Sequence, residues 1–210
     1  INNLVDDLGA VEVTAANTTV TSGGIEEEED DRLRERIKLA PEAFSTAGSR
    51  LAYVFHAKSA HQSIVDVAVL SPTPGVVKLY PLLTTGLPDA NMLSLVEATC
   101  SADRVRPLTD QVQALAPTAI DYAIDAQLVL YKNTDVASVL AQAQAAAEAY
   151  KADRAAGLGR DIVPVQVEAA LKVAGVYDIV RTAPAKIVLA ENEWARCTAI
   201  NLVVTGTVDG

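Results

Sequence analysis

The clearest pattern in the chain is the alternation of Tyr122, Ile124, Ala126, Leu128 and Leu130 with polar positions such as Asp125 and Gln127. Successive side chains of a strand point to opposite faces, so this run predicts a half-buried β-strand. An Ala-rich helix is expected next, from about residue 135 to 156. Val136, Val139, Leu140, Ala143 and Ala147 would face inward, and Gly157-Leu158-Gly159 would stop the helix. Pro164 suits the first turn of a further helix, where its missing N–H costs nothing. That helix would carry Val167, Leu171 and Ala174 on one face and Gly175 at its C′ position, before strands at 176–181 and 198–205.

The first half reads similarly. A helix over 25–40 would place Ile25, Leu33, Ile37 and Ala40 near one face. Its acidic start, residues 26–31, complements the helix dipole, and Pro41 would close it. Glu28 with Arg32 and Asp30 with Arg34 have the favourable i,i+4 order. Ser45 or Thr46 is expected to cap a second helix bearing Ala47, Leu51, Val54 and Phe55 and running to about Lys58. Val65, Val67 and Val69 alternate weakly over 64–70. The turn Ser71-Pro72-Thr73-Pro74-Gly75 then leads into a strand at 76–83, which Pro81 marks as an edge because it cannot donate to a ladder. Pro88-Asp89 would start a helix with Leu93, Val96 and Cys100 on one face, ending near Asp103.

These elements predict an α+β fold made of two small domains, with helices packed on short, mainly antiparallel sheets. The expected divisions are 1–24, 25–106 and 107–210. The first contains strand-like runs at 11–14 and 18–21 before Ser22-Gly23-Gly24, and reads as the end of a truncated N-terminal domain.

Composition narrows the function. The net charge of −10 repels phosphate backbones, so nucleic acid is not an expected partner. No segment approaches the roughly 18 consecutive apolar residues of a membrane span, so no membrane association is expected either. Cys100 and Cys197 lie too far apart for a zinc motif or a disulfide framework and read as buried thiols of a reducing compartment. No cofactor is expected.

Candidate chemistry is sparse. The phosphate-loop, dinucleotide, zinc-hydrolase and nucleophile-elbow motifs do not occur, and His56 and His61 are poorly spaced for one helical face. Gly157-Leu158-Gly159 would follow a helix, whereas a phosphate loop follows a strand. Asp121, Asp125 or the acidic run 26–31 could serve acid–base chemistry only as carboxylates converging on one pocket. Arg106 and Asp110 form the most distinctive polar pair, read as an ion pair bracing an interdomain turn or, for the arginine, an interface anchor. Trp194, beside Glu191 and Glu193, is expected between two strands, where it either plugs the core or meets a partner.

Several segments in order resemble the baseplate J-like family of contractile-tailed phages and related contractile injection systems. They are Asp30 to Ile37, Phe44 to Ser49 with Tyr53, Val65 to Val77, Val105 to Asp110, and Gly175-Val176 ahead of Pro184. The resemblance implies a middle α+β domain, a C-terminal α+β domain and a structural, non-enzymatic role in a baseplate wedge, assembled in the bacterial host cytoplasm. Implied partners are other wedge proteins, including a second copy of the chain and a smaller neighbouring tail protein. With no catalytic residues to carry over, Gly48 is assigned to close helix packing, Gly75 to a hairpin turn, and Arg106 with Asp110 to bracing a junction. The alternative reading is a regulatory α+β module binding a small molecule between subunits.

Overall fold

The computed structural model describes residues 29–44, 49–103 and 105–209. The strand-like runs within 1–24, the expected caps Ser45 and Thr46, and Ala47 and Gly48 lie outside the described residues.

The first unit begins with α1 (Asp30–Leu39), a 3-10 turn (Ala40–Phe44) and α2 (Arg50–Ala60). Arg34 pairs with Asp30 and Asp31 on the solvent side of α1. Arg32 donates to the carbonyls of Lys58 (2.9 Å) and His61 (2.8 Å), so α1 caps the C-terminus of α2. Pro41 does not end the run but sits within the 3-10 turn. The helix cap is Ser49, which accepts from Ala52 N–H at 3.2 Å. The buried face of α2 is Ala52, Tyr53 and Ala57, whereas Leu51, expected inward, is exposed. Leu33 and Ile37 of α1 are also exposed, and among the described residues α1 packs mainly on α2 and the 3-10 turn.

Strands β1 (Ile64–Thr73) and β2 (Val76–Leu83) form an antiparallel hairpin. Pro74 and Gly75 occupy its two-residue turn, and the φ of +80° at Gly75 is one that a side chain disfavours. A register shift between Ile64 and Asp66 lets Ile64 and Val67 both face the core and turns Val65 aside. Helix α3 (Ala90–Cys100), capped by Asp89, crosses to β3 (Gln111–Ala114), which pairs parallel with Val76–Leu79 of β2. β2 is therefore the central strand, against the edge position expected from Pro81. Pro81 is tolerated because β3 stops at Leu79's level, leaving nothing on that side for its absent N–H to meet. The parallel pairing also places 111–114 with the first sheet, beyond the division expected at 106/107.

The second unit is a sheet ordered β5-β4-β6, from β4 (Thr118–Tyr131), β5 (Val176–Ala183) and β6 (Glu193–Val208). Helices α4 (Val136–Ala155) and α5 (Pro164–Leu171) connect β4 to β5. β4 pairs antiparallel with β5 and, along its whole length, parallel with β6. The fold class is α+β, and each sheet joins one antiparallel to one parallel pair. The alternating residues of β4 form the floor of the second core, roofed by Val139, Ala143 and Ala147 of α4 and by Val167 and Leu171 of α5. Leu128 and Leu130 are fully buried there, each worth about 2 kcal/mol of transfer free energy. Val136, expected inward, is exposed at the first turn. Gly175 lies beyond the C-cap Lys172, in the turn into β5. A Cβ there would come 2.6 Å from Val139, so the close approach of this turn to α4 also requires glycine.

Candidate interface residues and the junction between the two units

Two of the sequence candidates converge with Gly75 on one turn. Arg106 follows α3 and spans the turn before β3, donating from Nε to Ser101 O and from Nη1 to the main-chain carbonyl of Asp110, both at 2.9 Å. The partner is the backbone of Asp110 and not its carboxylate, which instead accepts from the buried Tyr53 hydroxyl at 2.8 Å. Burial, followed by that bond to Asp110, raises the Tyr53 pKa. Gly75 closes the same cluster: its carbonyl accepts from Gln111 N–H at 2.7 Å, and a Cβ on it would approach Thr109 O at 3.2 Å. Arg106, Asp110 and Gly75 thus fix how α2, α3 and β3 meet inside the first unit. Gly48 lies outside the described residues.

Trp194 stands elsewhere, at the junction of the two units. It is the second residue of β6, not part of a connection, and its indole N–H donates to Ala155 O at the end of α4 at 3.0 Å. Its ring lies against Gly86, at the end of the first sheet's hairpin, where a Cβ would be 3.0 Å from the ring edge. Gly86 also has a φ of +107°, so glycine is required there twice over. Two polar contacts flank this one. Asp66 of β1 accepts from Leu158 N–H at 2.8 Å, so the Gly157–Gly159 turn that stops α4 docks on the first unit. Arg50 of α2 pairs with Glu191 at 2.8 Å across an exposed gap. Sequence reasoning read Gly157–Gly159 as a stop and linker and missed Asp66 and Gly86. An isolated glycine and a polar residue in a weakly alternating strand were the only signals available.

Asp121 and Asp125, candidates for acid–base chemistry, are held by separate partners. Asp121 and Arg196 form a bidentate ion pair at 2.6 and 2.9 Å on the open face of the second sheet, and the hydrogen bonds from Arg196 lower the Asp121 pKa. Asp125 accepts from Asn201, His61 bonds Ser63, and burial lowers the His56 pKa. Among the described residues no group of three or more His, Cys, Asp or Glu could hold a metal ion. No described helix is long and apolar enough to cross a membrane. Both cysteines are free, and burial pushes the Cys100 thiol up to about 12. Cys197 is only half-buried, at variance with the expectation of two buried thiols.

What these residues define is a two-unit α+β protein whose distinctive polar groups brace turns and a junction. Residues 45–116 match the Baseplate J-like central domain, and residues 122–203 match the Baseplate J-like protein C-terminal domain. The chain belongs to the baseplate J-like family, a structural family of phage tail baseplates. It is 34% identical over 183 residues to baseplate protein J of Escherichia phage P2, a match covering 86% of this chain and 60% of that protein. The fold also resembles a chain in the 6-fold symmetrised baseplate of the anti-feeding prophage, with a TM-score of 0.58 and 16% identity. That alignment covers 84% of this chain and 43% of the other.

Proposed function

We propose that this chain is a wedge component of a contractile tail baseplate, working by holding defined contacts with neighbouring subunits and passing their rearrangement to the sheath. The observation carrying this reading is the ordered pair of family domains together with the 34% identity to a baseplate protein. The molecule's physical character agrees with a mechanical task, because its polar side chains are spent on capping helices, bracing turns and docking one unit on the other. Such a role needs no catalytic group. The partners would be other wedge proteins, among them a smaller tail protein and a second copy, at the virion tail after assembly in the host cytoplasm.

Light scattering after size exclusion, on the chain alone and mixed with that smaller tail protein, tests the proposal. A stable complex containing both is expected. Failure of the full-length chain to bind it would remove the wedge reading.

A further inference from the structure

The two units touch end to end and share no core. Among the described residues, the buried apolar side chains of the first core all come from 53–114, and those of the second from 122–195. No described helix or strand of one unit packs broadly on a helix or strand of the other. The chain crosses between them through Ala116 and Pro117. On one side Leu79 O holds Leu115 N–H at 2.9 Å, and on the other Asn192 O holds Thr118 N–H at 3.1 Å. Proline confines the preceding residue to extended conformations, but these still span tens of degrees. Beside the crossing stands Trp194, whose backbone pairs with Ala119 and whose ring rests on Gly86. Gly86 and Pro117 are both buried there.

Away from the crossing the contact is thin and polar. β3 leads into the link, β2 lies beside it and β1 next again, so Asp66 of β1 stands two strand spacings from the crossing, roughly 10 Å. There Asp66 Oδ2 accepts Leu158 N–H at 2.8 Å, while Oδ1 accepts Val67 N–H at 2.8 Å and keeps the carboxylate aimed. The Arg50–Glu191 pair is 60% exposed on both sides, where ion pairs hold little. A cavity of about 340 Å³ lies between Arg32 and Lys58 of the first unit and Ala156 and Arg160 of the second, so here the units face each other across open space.

We infer that the chain is a latched hinge: it pivots at Ala116 and Pro117 with Trp194 resting on Gly86, and the bond from Leu158 N–H to Asp66 is the latch that holds the two units closed. A rotation of about 20° at a radius of roughly 10 Å moves the Leu158 amide about 3 Å, which breaks a hydrogen bond while every strand pairing within the two sheets is kept. Water replaces the partly exposed bond as it opens, so the two arrangements differ little in free energy. Val67 N–H still holds the carboxylate in place, so the latch can close again. A pivot with two arrangements is an element through which a neighbour's movement can be passed on. That use rests on the proposed baseplate role, whereas the hinge belongs to the chain itself.

Amide hydrogen exchange, read by NMR on the intact chain, tests the hinge. Leu158 N–H bonds across the junction, whereas Gly159 N–H, on the same turn, bonds Glu193 O at 2.9 Å inside the second unit. After correction for intrinsic rates, Leu158 is expected to exchange at least about tenfold faster than Gly159. Spin labels on unnatural residues replacing the exposed Leu51 of α2 and Val180 of β5 report the distance between the units. Asp66→Ala is expected to broaden that distance distribution by at least about 3 Å, the displacement that breaks the latch, with far-ultraviolet circular dichroism unchanged. Equal exchange of Leu158 and Gly159 would mean that the turn frays as one, and would overturn the hinge. A distribution that stays as narrow in the folded Asp66→Ala chain as in the unsubstituted one would overturn it as well. The exchange comparison needs no substitution, so it decides the matter even where the variant fails to fold. Both measurements are made on the isolated chain, so either failure leaves the baseplate role intact.

Discussion

Tyr53 shows how much one hydroxyl organises. It reaches from the middle of α2 to the Asp110 carboxylate, while Arg106 holds the same residue by its carbonyl, so helix and turn are tied from two sides. Tyr53→Phe leaves the ring packed and removes only the bond, and is expected to cost about 1–2 kcal/mol in urea denaturation. His56 offers a titration test. Burial lowers its pKa below the ordinary 6.5, so the unfolded chain binds the proton more readily than the folded one. Stability is therefore expected to fall as the pH drops below about 6.5, and His56→Gln should flatten that part of the profile of urea midpoint against pH. The exposed Asp121–Arg196 pair acts lower: its depressed carboxyl favours the fold above the ordinary value of 3.8 and loses that effect as acid protonates it. Asp121→Asn should remove this acid-side slope, and added salt should weaken it.

At the scale of elements, β4 with α4 is the unit in which pattern and packing agree. Ala143 and Ala147 are almost wholly buried against the sheet, so the helix lies close because its inward residues are small. Ala143→Leu would push α4 off β4 and is expected to cost about 1–3 kcal/mol. Leu128→Ala, which opens a void beneath the same helix, is expected to cost about 2–5 kcal/mol; denaturant midpoints check both. Strand 122–130 was legible because one face is fully buried and the other is not, which is what a period of two records. The faces of α1 and α2 were less so. Leu33, Ile37 and Leu51 share helical spacing with residues that would make a core, but which side of a helix is covered depends on what the rest of the chain brings to it.

At the scale of the molecule the junction is the feature to probe, and the chain supplies its own reporter, since Trp194 is its single tryptophan. Gly86→Ala would force a methyl against the indole and strain a backbone at φ +107°. It is expected to shift Trp194 emission to the red and raise its quenching by iodide, with β-sheet circular dichroism unchanged. Asp66→Ala, which frees Leu158 N–H without touching the ring, is expected to move the same signals in the same direction by less.

The sequence by itself determined most elements, because local rules govern them: the alternation of β4, the helix starts at Asp89 and near residue 135, the Pro74-Gly75 turn and the small-residue face of α4. It also carried the resemblance to the baseplate family, in short segments whose order survives. Tertiary structure decided what depends on residues distant in sequence. It made β2 central despite Pro81, because β3 returns beside it only as far as Leu79. It gave Arg106 the Asp110 carbonyl where a carboxylate was expected, and turned that carboxylate to Tyr53. It set Trp194 against Gly86. Pairing partners, edges and junctions join segments far apart in the chain, and no local periodicity encodes which segments will meet.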